Sequence, residues 1–513
     1  MATKTKNIGT TKLAARKRDT NYRVRIRMYR QGLGDCFLLS FPKGRGKHVH
    51  VMIDCGVVLG TSEPGVVMTK LAKDVQKTTK GKVDVLVITH EHWDHLSGFD
   101  KSQARAVFEN IEFGALWLAW TEEEGNALAD RLRIEREKKK AAAKKARERS
   151  DERGLTAQAA RMAGILGFFG AKAAGDSDAD EDGGGTAGAL NFLKEKCAPT
   201  IVETGGKPRS LPGVEGVRVY VLGPPEDPDA LKKMNPYKGE GYALGGTAIG
   251  LTDAFLAAFD PNDERAQPFA MSLRKPMNDV VNELPARLTN VKKAAKLSNN
   301  PPLKAGLDWY ADPTNQWRNI DDAWLGMGER LALQLDSATN NTSLVLAFEF
   351  EGPNNDVLLF VGDAQAGNWR SWDACHWKVM EKNGKKRKVT VEGLLNRTIF
   401  YKVGHHGSHN ATMREKGLER MASGRLAAVI PVDTRVAHEV KGWKEMPLPA
   451  IRTRLGEKCA VVFQSDEAPL EKKKVPKTRW MQSAQKFDVR MKDPVTKKVK
   501  TVRKQSLYTD YFP

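Results

Sequence analysis

A chain of 513 residues that is 40% hydrophobic and 28% charged has the composition of a large globular protein. It holds no apolar run approaching the roughly 20 residues that cross a bilayer. Its five cysteines are scattered without a CxxC pair, which indicates neither a thiolate zinc site nor a disulfide framework and points to a reducing, cytoplasmic setting. The formal net charge of +20 favours polyanionic partners, nucleic acid first.

The basic N-terminus lacks the apolar centre of an export signal. Arg23–Met28 then alternates cation and apolar residue, QGLGD supplies a turn, and CFLLSF forms the second arm of a predicted hairpin. His48–Gly56 reads as a strand ending in Asp54, followed by a helix near Val67–Lys77 and a buried strand over Val83–Ile88. This alternation predicts an α/β sandwich. Arg131–Gly154, with eleven Lys/Arg against five acids, reads as a long solvated helix. Met162–Gly170 is a short apolar island suited to docking or to a helix contact, and Gly175–Gly185 is an acidic, glycine-rich linker. Val217–Pro225 resumes strand character, and a second helical insertion runs to about Leu335, including the apolar Gly246–Phe259. Strands return at Ser343–Phe350, Asp356–Asp363, Thr398–His406 and Arg425–Val432, with a helix within MPLPAIRTRLGEK. The tail Glu471–Gln505 carries thirteen Lys/Arg and three acids, a net +10 and half the formal excess, and ends in a predicted basic hairpin.

The densest chemistry follows Val83–Ile88. In THEHWDHLSG, His90, His92, Asp94 and His95 put imidazole nitrogen and carboxylate oxygen at a strand end, where they can bind zinc or a neighbouring divalent metal. His90 and His92 can serve one ion, and Asp94 and His95, a turn later, a second. Glu91 is left unassigned, as shell support or a solvent-facing side chain.

This HxHxDH pattern, with Asp54 upstream as support of the site, resembles the metallo-β-lactamase-fold hydrolases. The resemblance implies an αββα sandwich whose halves lie in 1–120 and 336–465 with a strand segment at 216–235. Two insertions at 121–215 and 236–335 and a basic extension at 466–513 lie outside it. It also implies a bridging carboxylate, Asp363, and a last histidine in KVGHHGSHNAT, with His405 preferred and His406 the alternative. His409 is then a candidate proton donor or phosphate contact. One expected ligand is missing, since no histidine stands between His95 and His376. In its place NNTSLVL is similar to a segment of ComEC-type competence proteins, which implies that Asn340 faces the first metal directly or through water.

The cofactors expected are two divalent ions, Zn²⁺ first and Mn²⁺ as the alternative. The reaction expected is two-metal phosphodiester cleavage of DNA, with Lys472, Lys473, Lys474, Lys477 and Arg479 contacting phosphates. Hydrolysis of a small phosphodiester or lactone, or a non-catalytic interaction role, are the alternatives. The linker beside the charged helix also suits proteolytic control by a partner, as in host-defence modules. No membrane partner is expected, and the sequence leaves the oligomeric state open.

Overall fold

Apolar alternation in the N-terminal segment sets the first pairing. Arg25–Tyr29 runs antiparallel to Cys36–Pro42, with Arg25 opposite Ser40, and Cys36–Pro42 pairs antiparallel with His48–Cys55. The helix Pro64–Thr79 then carries the chain to Val85–Val87, which lies parallel to His48–Cys55. The computed structural model describes residues 22–152, 154–170, 184–237, 239–242, 320–381, 384–471, 479–492 and 499–513. Most of the expected acidic linker, the apolar run 246–259, and Lys472, Lys473, Lys474 and Lys477 lie outside the described residues.

Two eight-stranded sheets form the centre. In spatial order the first runs Trp480–Gln482, Tyr508–Tyr511, Arg25–Tyr29, Cys36–Pro42, His48–Cys55, Val85–Val87, Leu116–Ala119 and Pro199–Val202. The second runs Leu470–Glu471, Val461–Gln464, Ala427–Ile430, Thr398–Lys402, Val357–Phe360, Val345–Phe350, Val217–Gly223 and Arg209–Ser210. Phe37, Phe41, Val87 and Trp117 of the first meet Leu346, Phe348, Phe360 and Phe400 of the second in one buried cluster, with Phe37 edge-on to Phe360 at 5.5 Å between centroids. Helices cover both outer faces. Met68, Leu71 and Val75 close one side, while Trp369, Leu394 and Ile451 close the other. Burial of apolar area on both faces of each sheet explains the continuous apolar strands, and the layers are helix, sheet, sheet, helix, the sandwich expected from the sequence.

Two expectations change. The helix Ala127–Glu152 is not simply solvated, because Ala142 and Ala143 are buried with Leu166 of Thr156–Leu166 and with Leu331 and Ala332 of Ile320–Asn341. Its small alanines allow the close helix approach that its charged faces would deny. The C-terminal stretch is likewise more than an appendage. Tyr508–Tyr511 pairs with Arg25–Tyr29 and with Trp480–Gln482, so residues near the C-terminus complete the first sheet. The basic hairpin does form, from Lys486–Lys492 and Val499–Ser506, but two of its cations are engaged internally, Arg490 with Glu63 and Arg503 with Asp433. No helix of the described residues is long and apolar enough to cross a membrane.

The closure of that sheet rests on Arg27, which is 4% exposed. Its guanidinium donates to both oxygens of Asp510 at 2.7 and 2.9 Å and to Asp74 at 2.6 Å, and Tyr508 covers it with its ring centroid 3.3 Å away. Asp510→Ala is expected to cost about 3 kcal/mol, because it leaves a buried cation half-paired. A urea midpoint equal to that of the unsubstituted protein would show that Asp74 alone suffices.

Candidate metal centre

The site begins where the strand His48–Cys55 ends. Asp54 adopts a left-handed backbone, φ 54°, and is fully buried. Its carboxylate accepts from the Thr89 N–H at 2.8 Å, from the Thr89 hydroxyl at 2.7 Å and from His95 Nδ1 at 2.8 Å. One side chain thereby pins both ends of the loop 89–95. Gly56 lies directly beneath it, where a Cβ would stand 2.2 Å from the carbonyl carbon of Asp94, so only glycine permits this approach. Asp94 and His95 sit on the short helix Trp93–Leu96, both buried.

The second sheet supplies the opposing wall. Asp363 follows Val357–Phe360 through Gly362, at φ 53°, where a Cβ would press within 3.0 Å of Thr89. Lys402, His405 and His406 end the neighbouring strand, and both histidines hold positive φ, 43° and 53°. Each such conformation costs of order 1–3 kcal/mol, and its cluster at one turn marks a site held against strain. The result selects one ring. His406 Nε2 lies 2.8 Å from Asp94 Oδ2 and 3.6 Å from Asp363 Oδ2, beside His95 Nε2 at 3.1 Å from Asp363 Oδ2. His405 instead places Nδ1 3.4 Å from Gln365 Nε2. The sequence preference for His405 is therefore reversed, and the cause is the left-handed pair of residues, invisible in a strand pattern.

Among the described residues Asp35, His95, Asp363 and His406 each offer a ligand atom, all within 4.8 Å of one another. Asp35 contacts the rear of the rings, 3.7 Å from His406 Nδ1 and 3.9 Å from His95 Nδ1, and it holds Lys402 Nζ at 2.5 Å. Asp94 and Asp363 face the Nε2 atoms. Lys402 also donates to Asp363 Oδ1 at 3.0 Å and to the Gly362 carbonyl at 2.6 Å. The sequence reading missed Asp35 and Lys402; a lysine inside the otherwise apolar TIFYKV was the available signal, since a fully buried lysine needs carboxylate partners.

Charge and tautomer are set by these contacts. Burial opposes the charge on His95 and His406, yet Asp363 and Asp94 outweigh it and raise both above the ordinary histidine value. Burial likewise opposes Asp94, but His95 and His406 pull it down to about 2. Burial pushes His90 and His92 well below the usual range, which keeps them neutral, the form that binds metal. His406 Nδ1 donates to the Pro431 carbonyl at 2.9 Å and His95 Nδ1 to Asp54, so each ring, once the Nε2 proton is given up, turns the lone pair of Nε2 inward. His95 Nε2, Asp94 Oδ1 and Asp363 Oδ2 are buried without a hydrogen bond. Such a set of orphaned nitrogen and carboxylate atoms fits a divalent ion.

Beside it His90 Nε2 and His92 Nδ1 stand 3.0 Å apart. Asn340 is fully buried near them with Oδ1 unpartnered, while its Nδ2 donates to Asp336, a residue the sequence reading did not single out. Phe168 and Phe169, from the apolar island, pack on His92 at 5.4 and 5.0 Å, so that segment docks over the site. Glu91 faces away from solvent and pairs with Arg136 of the insertion helix. His409 is exposed, with Nε2 3.1 Å from Asn235 Oδ1, and Arg479 is exposed as well. Asp54→Ala should weaken divalent-ion binding about 10–100-fold by freeing the His95 ring. Competition with a chromophoric chelator measures this, and an unchanged affinity would mean that packing alone orients His95.

Residues 31–166 match the family model described as the metallo-beta-lactamase superfamily. No curated protein and no solved structure matches the chain. The matched span contains Asp35, Asp54 and the loop from His90 to His95, whereas Asn340, Asp363 and His406 lie beyond it. Both groups nevertheless converge on one candidate centre, and residues 31–166 of this chain are similar to the metallo-beta-lactamase superfamily.

Proposed function

We propose that this protein is a two-metal hydrolase that cleaves phosphodiester bonds of DNA. The observation that carries the reading is the buried meeting of Asp94, His95, His406 and Asp363 beside the facing pair His90 and His92. The superfamily match supports a metal-dependent hydrolase. In this reading Asp94, His95, His406 and Asp363 would hold one ion, and His90, His92 and Asn340 would hold a second beside it. Zinc suits this donor set best, and manganese is the alternative. Divalent ions held there supply Lewis-acid polarisation of a phosphoryl oxygen. Lys402 keeps the Asp363 carboxylate ionised, Asp54 fixes the direction of His95, and the exposed His409 is assigned the leaving-group proton. The finer likeness to ComEC-type competence proteins rests on the NNTS, HHGS and LGPP segments alone.

DNA as substrate follows from the charge distribution. Lys472, Lys473, Lys474, Lys477 and Arg479 form a cationic run in the sequence, and phosphate contacts dominate the affinity of such runs for DNA. A second reading has its own observation. Phe168 is stacked on Trp443 at 5.4 Å and flanks His92, and this apolar wall suits a compact phosphodiester or lactone better than a duplex.

Supercoiled plasmid with Mn²⁺ or Zn²⁺ separates the two. Cleavage is expected from the native protein and none from Asp94→Ala combined with His95→Ala. Equal cleavage by both would defeat the nuclease reading, and hydrolysis of bis-p-nitrophenyl phosphate with an intact plasmid would favour the compact substrate. Neutralising Lys472, Lys473, Lys474 and Lys477 with glutamine should flatten the salt dependence of DNA binding by about 0.9 in log–log slope for each phosphate that the protein ceases to neutralise. An unchanged slope would assign these cations to solvent. Substitution is preferred to truncation because the chain beyond them completes a sheet.

A further inference from the structure

Of the imidazoles His90, His92, His95 and His406, three share one arrangement, in which the rear nitrogen gives its proton to an acceptor and the other nitrogen faces inward. For His95 the acceptor is Asp54, at 2.8 Å, and for His406 it is the Pro431 carbonyl, at 2.9 Å. For His90 it is the Thr89 oxygen at 3.1 Å, since the hydroxyl proton of Thr89 is already committed to Asp54. His92 departs from the arrangement. Its Nδ1 faces His90 Nε2, and for both of these nitrogens to offer lone pairs to one ion its proton must sit on Nε2, an atom that is buried with no hydrogen bond. The facing carboxylate oxygen is Asp336 Oδ1, 3.8 Å away and itself buried without a hydrogen bond. Asn340, one turn on along the same helix, donates Nδ2 to Asp336 Oδ2 at 3.2 Å and holds the carboxylate with its other oxygen free. Two orphaned, complementary atoms in a buried space are a donor and acceptor that a small side-chain rotation brings together.

We infer that Asp336 is a positioning residue that accepts the Nε2 proton of His92 and thereby presents His92 Nδ1 to the first metal ion. This rests on the two-metal reading above. A carboxylate behind a metal-binding imidazole fixes its tautomer and raises its basicity. The chain lacks a histidine between His95 and His376, so the first ion has few protein donors and depends more heavily on the quality of each. The helix Ile320–Asn341, which leads out of the second insertion, is thereby part of the centre through its last turns.

The test counts bound ions and measures their affinities on the full-length protein, by elemental analysis and chelator competition with Zn²⁺. The native chain should hold two ions. Asp336→Ala should weaken one of them about 10–100-fold and leave the other unchanged. Asp336→Asn, which keeps an oxygen acceptor, should restore most of that affinity. Leu331→Ala loosens the same helix without touching His92 and should change neither ion. Native-like binding by Asp336→Ala would overturn the inference while leaving the two-metal site standing, as would equal weakening by Leu331→Ala. Failure of the native chain to bind any divalent ion would overturn the site reading and this inference together.

Discussion

Asp35, Asp54, Asp94 and Asp363 are none of them more than 2% exposed, and among the described residues the permanent cation paired within this group is Lys402, which contacts Asp35 and Asp363. One ammonium does not balance four carboxylates, and the remaining charge must be neutralised by protons on His95 and His406 or by bound cations. This excess of buried negative charge is the constraint that the rest of the structure serves. It raises the two histidines, whose positive charge together with that of Lys402 in turn depresses Asp94 and Asp363, and it suits the centre to divalent ions, which would displace imidazole protons.

Such a cluster would drive its walls apart unless the walls were strongly held. The sandwich holds them: the aromatic layer from Phe37 through Phe348, Phe360 and Phe400 joins the two sheets directly below the loops that carry the charges. Gly56 and Gly362 let those loops approach at backbone distance, and Thr89 lies against both Asp54 and Gly362, tying the two sheets together at the site. Strain at Asp54, His405 and His406 is carried by that packing. Binding geometry is therefore a property of the inter-sheet core as much as of the ligands.

The insertions acquire a role from the same geometry. Arg136 reaches Glu91 within the loop 89–95, Phe168 and Phe169 pack on His92, and the end of Ile320–Asn341 brings Asp336, held by Asn340, to within 3.8 Å of His92 Nε2. The two insertions meet each other through Ala142, Ala143, Leu331 and Ala332. Segments outside the bare sandwich thus pack against the centre.

The primary sequence alone determined the features whose physics is local. Apolar runs marked the strands, the density of imidazole and carboxylate in positions 90–95 marked the ligand loop, and Asp54 and Asp363 stood out at strand ends. The missing histidine after His95 was legible too, because an absence in a chain can be read directly. Tertiary structure decided the rest. His406 rather than His405 faces Asp94 because two successive residues take positive φ, a choice made by the packing around them. Asp35, Lys402 and Asp336 join the centre, and Tyr508–Tyr511 joins the first strand, across separations that no periodicity encodes. Periodicity reports which face of a segment is apolar; which distant side chains share a buried space depends on sheet order and register, and these exist only once the core between the sheets has formed.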